Sequence, residues 1–100
     1  FFNQDRLIYK NVELNYNGFL LNITNNKKIY LTDTETAIVK ILFTNKVVEK
    51  DKIKKNILNI NSQIDTKSLE SHVSRIRKKL LIIDESITIN SFDSNKIKIN

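Results

Sequence analysis

The apolar residues of this chain change their period twice. Up to Leu31 they alternate: Val12, Leu14 and Tyr16, then Phe19, Leu21 and Ile23, then Ile29 and Leu31. A period of two belongs to half-buried strands. From Thr32 the spacing becomes helical, with Ile38, Ile41 and Leu42, then Ile53 and Ile57, then Leu69, Val73, Ile76 and Leu80. After Ile83 alternation returns in Ile87, Ile89, Ile97 and Ile99. Strands first, helices in the middle and strands last define an α+β chain.

Local signals sharpen the boundaries. Asn17-Gly18 is a tight-turn pair, and Asn25-Asn26 is a second turn, because Asn tolerates a positive φ. These give an antiparallel meander from about Leu7 to Leu31. Thr32-Asp33-Thr34-Glu35 is a capping box that opens a first helix of about Asp33 to Thr44. Its two carboxylates serve the cap and the helix dipole rather than acid–base chemistry. Asn45 ends this helix, and Val47-Val48 is a short strand or a packed connector. A second, short helix over 50–58 carries Lys50, Lys52, Lys54 and Lys55. A loop follows from Asn59 to Ile64, and Asp65 or Thr66 caps a third helix that runs to about Leu81. Asp93-Ser94-Asn95 turns the terminal hairpin, with Lys96 and Lys98 on its second arm.

The third helix carries two faces. Leu69, Val73, Ile76 and Leu80 stand at i, i+4, i+7 and i+11 and make one apolar stripe. Lys67, Ser71, Ser74, Arg75 and Lys78 point away from it. Cations and short hydroxyls on an exposed helix face suit phosphates and base edges. They also suit an ordinary solvated surface, so charge placement must decide. The net charge of +6 is concentrated, with +3 in residues 46–64 and +3 in residues 65–81, against +1 before and −1 after. Such a distribution is the footprint of a polyanion binder. The 14 lysines follow a bias toward Asn, Lys and Ile that A/T-rich codons produce, so arginine positions weigh more. Of three arginines, Arg75 and Arg77 lie on this helix.

Several classes are excluded. Without cysteine there is no disulfide and no thiolate metal site, which fits a reducing cytoplasm. One histidine gives no zinc site, and one glycine in the chain rules out the common nucleotide-cradling loops. We therefore expect no enzyme, no cofactor and no metal. The longest apolar run, Leu80 to Ile83, is too short for a membrane span. One hundred residues suit a single domain, and the start at Phe1 suggests a piece of a longer protein.

Meander, three helices and terminal hairpin together make a winged helix-turn-helix, with the hairpin as wing. The sequence resembles the effector domain of OmpR/PhoB-type response regulators. The likeness lies in Leu31-Thr32-x-Thr34-Glu35, in Val47-Val48-x-Lys50-Asp51-x-Ile53, and above all in Ser68-Leu69-Glu70-Ser71-His72-Val73-x-Arg75-Ile76-Arg77-Lys78-Lys79-Leu80. The family typically reads T-V-D-V-H-I-x-R-L-R-K-K-L in the last segment. Departures are Thr36 for an aromatic, Glu49 for a Ser cap, Leu58 for a Trp, and a wing without the usual G-x-G-Y turn.

The resemblance implies sequence-specific binding of double-stranded DNA, with the helix of about Asp65–Leu81 in the major groove. It further implies a receiver domain N-terminal to residues 1–100, a two-component phosphorelay, a homodimer or tandem dimer on DNA, and RNA polymerase as a further partner. Arg75 is expected to meet guanine or a phosphate, and Ser68 and Ser71 to meet base edges or phosphates. Lys67, Arg77, Lys78 and Lys79 are expected to touch phosphates, with an ion pair to Glu70 or a plain surface charge as the other reading of Arg77. His72 either packs structurally or, as the resemblance implies, contacts a phosphate. Lys96 or Lys98 would enter the minor groove. Tyr9, Tyr16 and Tyr30 are expected to fill the sheet–helix interface. The competing reading is a winged-helix protein-interaction module with an exposed apolar patch and only non-specific affinity for nucleic acid. Duplex RNA is a third reading, disfavoured because a helix does not enter the narrow A-form major groove.

Overall fold

The computed structural model describes residues 6–57, 67–93 and 95–100, with the side chains of Lys67, Ser68, Phe92 and Asp93 left aside. Four strands come first: β1 (Arg6–Tyr9), β2 (Val12–Asn15), β3 (Phe19–Asn22) and β4 (Lys28–Tyr30). They pair antiparallel in chain order. Helix α1 (Asp33–Asn45) leads to β5 (Val47–Glu49) and α2 (Lys50–Asn56). Helix α3 (Lys67–Ile83) precedes the hairpin β6 (Ile89–Asp93) and β7 (Lys96–Ile99). The second sheet has the order β5-β7-β6, so the wing is joined to the start of α2 through β5. This is the α+β winged-helix architecture expected. The loop of residues 59–64, Leu58, and the cap at Asp65 or Thr66 lie outside the described residues.

The meander contains one surprise. Leu20 and Asn22 face the core, while Ile23 is exposed and Phe19 and Leu21 are half-buried. Expectation had the opposite face inward. A two-residue turn at Asn17-Gly18 would have set Tyr16 opposite Phe19. The chain instead spends Tyr16, Asn17 and Gly18 on the connection, and Asn15 pairs with Phe19. One extra loop residue shifts the register by one and reverses the strand's faces. Leu14 then meets Leu20 and Val12 meets Asn22. Gly18 closes the turn at φ 103°, donating its N–H to Asn15 at 2.9 Å, a conformation that a side chain would strain. Tyr9 and Tyr16 do pack on the core, but Tyr30 is 64% exposed, so its assignment to the interface is corrected. Its strand position points to the outer face of the sheet, beside Phe19 and Lys28.

The capping box forms as written: Glu35 N–H donates to Thr32 Oγ1 at 3.2 Å, and Thr32 N–H donates to Glu35 Oε1 at 2.9 Å. Helix α1 buries Ile38, Val39, Leu42 and Phe43 and ends at Lys46, whose φ of 69° turns the chain into β5. Helix α2 lacks a side-chain cap. Glu49 precedes it in extended conformation, and the Lys50 N–H is met by the Asn95 carbonyl of the wing turn at 2.6 Å. An orphan donor at a helix start is thus satisfied from the far end of the chain.

One core unites the elements. Val12, Leu14 and Leu20 from the sheet, Ile38 and Leu42 from α1, Ile53 from α2, Leu69, Val73, Ile76, Leu80 and Ile83 from α3, and Ile97 and Ile99 from the wing are all buried.

Candidate nucleic-acid interface

Helix α3 seats its apolar stripe in that core, which turns the opposite side outward. Glu70, Ser71, Ser74, Arg75 and Lys78 line one open surface depression along that outer side. Ser71, Ser74, Arg75 and Lys78 are all exposed. At about 100° per residue, Arg75 and Lys79 fall on one flank of the helix and Arg77 on the other. The two flanks are fastened differently.

On the α1 flank, Lys79 Nζ donates to Glu35 Oε1 at 2.6 Å and to the Tyr30 carbonyl at 3.0 Å. The Glu35 side chain is 1% exposed and that of Lys79 25%. Burial by itself would raise the Glu35 carboxyl. The Lys79 hydrogen bond, the Thr32 N–H and the charges of Lys79 and Arg75 outweigh it and hold the group below its ordinary 4.5. On the wing flank, Arg77 Nε donates to the Ile89 carbonyl at 2.8 Å. This bond to the wing was not among the readings weighed for Arg77, a phosphate contact or else an ion pair with Glu70 or a plain surface charge, and the residue remains exposed. At the C-terminal end, Asn22 Nδ2 donates to the Ile83 carbonyl at 2.8 Å, satisfying one of the last helical acceptors from the sheet. Asp84, just beyond, is held below its usual range by hydrogen bonds from the Ser86 hydroxyl and N–H, against slight burial, with help from Lys10.

The structure brings Ser71, Arg75 and Lys78 together on the outer side of α3, and adds Ser74 to them. The backbones of Lys67 and Ser68 form the first turn of the same helix. His72 is half-buried beside the apolar stripe, and its Nδ1 is buried without a hydrogen-bond partner. Lys79 spends its charge inside the domain. Lys96 and Lys98 alternate with buried Ile97 and Ile99, so they lie on the face of β7 away from the core. Around α3, sequence reasoning missed the contacts of Lys79 with Glu35, Arg77 with Ile89, and Asn22 with Ile83. The one local signal for the first was a lysine placed next to the apolar stripe rather than opposite it. Among the described residues, no group of three His, Asp or Glu side chains could hold a metal ion, and no helix is long and apolar enough to cross a membrane.

A buried helical scaffold, a hairpin wing paired back to it, and a helix with a basic outer side together define a winged-helix nucleic-acid-binding domain. Residues 26–91 match the family described as transcriptional regulatory protein, C terminal. The chain belongs to that family, the DNA-binding effector domains of OmpR/PhoB type, and the family is not one of enzymes. No curated protein matches the chain.

Proposed function

We propose that this domain reads duplex DNA sequence-specifically, with α3 lying in the major groove. The observation that carries this reading is the row of Ser71, Ser74, Arg75 and Lys78 on a helix fastened along both flanks. Seventeen residues make a rod of roughly 25 Å, enough to lie along a groove about 12 Å wide. In this reading Arg75 meets a guanine edge or a nearby phosphate, and Ser68 and Ser71 meet bases or phosphates. Lys67, Lys78, His72 and the outer guanidinium edge of Arg77 hold phosphates and set the register. Lys79 contributes positive potential while structurally committed. Lys96 or Lys98 follows the backbone into the minor groove.

The wider assignment extends the same proposal. The domain acts within residues 1–100 as the output half of a two-component regulator in the cytoplasm, joined to an N-terminal receiver. It docks as a homodimer or tandem dimer and contacts RNA polymerase. Selection of sites from a random duplex pool at about 0.15 M ionic strength tests the core claim. A short enriched motif, repeated about one helical turn apart, is the expected result. Binding that enriches nothing and vanishes with salt would overturn it. With about four to six phosphates neutralised, log K falls against log salt with a slope of roughly −4 to −5. Arg75→Ala costs about 1–3 kcal/mol and relaxes preference at one position, whereas Lys78→Ala weakens all sequences alike. Equal, uniform losses from both would refute this division of roles.

One observation favours a second reading, docking of a protein. Leu81 and Ile82 are 60% and 58% exposed, and Leu81 borders a mostly apolar groove with Arg77, Ile87, Thr88, Ile89 and Asn90. Retained duplex selection in a Leu81→Ser variant would keep that groove apart from DNA reading.

A further inference from the structure

The outer face of the meander carries aromatic rings and a cation in place of a plain polar surface. Strand pairing aligns Arg6, Asn15, Phe19 and Tyr30 in one row across the four strands, and the neighbouring row ends on Lys28. This face lies on the side of the sheet opposite Leu14 and Leu20, which are sealed in the core with α1 and α3. Tyr30 is 64% exposed. Its ring meets that of Phe19 edge to face, with centroids 5.9 Å apart. Lys28 Nζ stands 4.4 Å from the Phe19 centroid and 5.8 Å from that of Tyr30. Two ring quadrupoles thus hold one ammonium in place. The anion of this face, Glu13, is buried and faces Arg6 at 3.6 Å. Among the described residues no carboxylate pairs with Lys28. Lys27 adds a second exposed cation just before β4.

The mixture selects the ligand. Cores of protein interfaces are depleted of lysine, whereas here a lysine lies against both rings. A phosphodiester chain with unpaired bases answers both features. Its phosphates suit Lys27 and Lys28, and a base offers a π face to the exposed Tyr30 ring. Bases stacked inside a duplex are closed to such contact. We propose that the outer face of β3 and β4 is a second nucleic-acid site, which takes single-stranded DNA by stacking a base on Tyr30 and pairing phosphates with Lys27 and Lys28. The site is separate from α3 and does not depend on how α3 reads a duplex.

Fluorescence anisotropy of the 100-residue chain tests this with an oligothymidylate of about eight nucleotides and an abasic strand of equal charge. The oligothymidylate should bind about fivefold or more tightly than the abasic strand. Tyr30→Leu keeps apolar bulk on the strand and should erase that preference, and Tyr30→Phe should restore it. Lys28→Gln should flatten the slope of log K against log salt by about 0.7. Amide resonances of Leu21, Lys28 and Tyr30 should shift on titration. Equal affinity for the two strands, or shifts confined to α3, would overturn the site. So would a preference lost equally in Tyr30→Leu and Tyr30→Phe. Tighter binding of an acidic peptide at the same amides would make this a protein-docking face, and tighter binding of oligouridylate would overturn the assignment to DNA. Duplex selection stands or falls separately, because Tyr30→Leu should leave the enriched duplex motif unchanged.

Discussion

On one flank of α3, Lys79 delivers its ammonium to a carboxylate sealed from water; on the other, Arg77 donates Nε–H to a backbone carbonyl of the wing. The first bond needs two charges present together. The second needs one charge and a strand in place. Losing a partner therefore has unequal consequences. Without Lys79, Glu35 becomes a buried, uncompensated anion, whereas without Arg77 the Ile89 carbonyl has only to find water. The α1 flank is rigid and sensitive to charge, and the wing flank is tolerant.

The largest expected effect breaks the first bond. Lys79→Met should cost about 3 kcal/mol of stability, the lower end for a broken buried pair because Lys79 is partly exposed. Denaturant unfolding would show this as a lowered midpoint with an unchanged slope. A loss under about 0.5 kcal/mol would mean that the pair is screened like any surface pair.

Acid sharpens the same contrast. The folded carboxyl of Glu35 titrates below its ordinary 4.5, so its contribution is complete above that value. It is lost as pH falls below 4.5 through the folded value. Part of the acid sensitivity of the wild-type chain should disappear in the Glu35→Gln, Lys79→Gln pair and persist in Arg77→Ala. Identical pH–stability curves for all three would remove Glu35 from the account.

Breaking the wing flank should do less. Arg77→Ala is expected to cost about 1.5 kcal/mol, the value of one hydrogen bond to a charged group. Amide exchange should quicken in β6 and β7 while α1 keeps its protection. The smallest change is a gain. Glu49 makes no side-chain cap for α2, so Glu49→Ser should add about 0.5–1 kcal/mol and raise Tm by a few degrees. No change in Tm would show that the Asn95 carbonyl already supplies all that a cap can.

What was legible in the chain follows from the range of each signal. The capping box of α1, the stripe on α3 and the alternation of the wing are written within a few residues of where they act. So is the Gly18 turn, although not its length, and one unforeseen loop residue reversed the faces of β3. Lys79 with Glu35, Arg77 with Ile89 and Lys50 with Asn95 join residues brought close only by the finished fold. Chain-local periodicity holds no record of such pairs. Asn22 misled for a related reason: a polar residue in a strand reads as outward until an unsatisfied helix end is known to lie behind it. The outer face of α3 could be read because burial of its stripe dictates it.

The two sheets also differ in how far the chain must travel to close them. In the meander every partner is the next strand along, as in Leu14 with Leu20. In the second sheet Val48 pairs with Ile97, across the whole of α2 and α3. Closing so long a loop spends chain entropy before any contact repays it, and the cost delays such pairings. The order of assembly follows. The meander and α1 should gain amide protection first, and the wing should zip onto β5 last. Opening under mild denaturant should run in reverse, with the Val48 and Ile97 amides exchanging before those of Leu14 and Leu20. The hairpin beside α3 is then the last part of the domain to arrive and the first to leave.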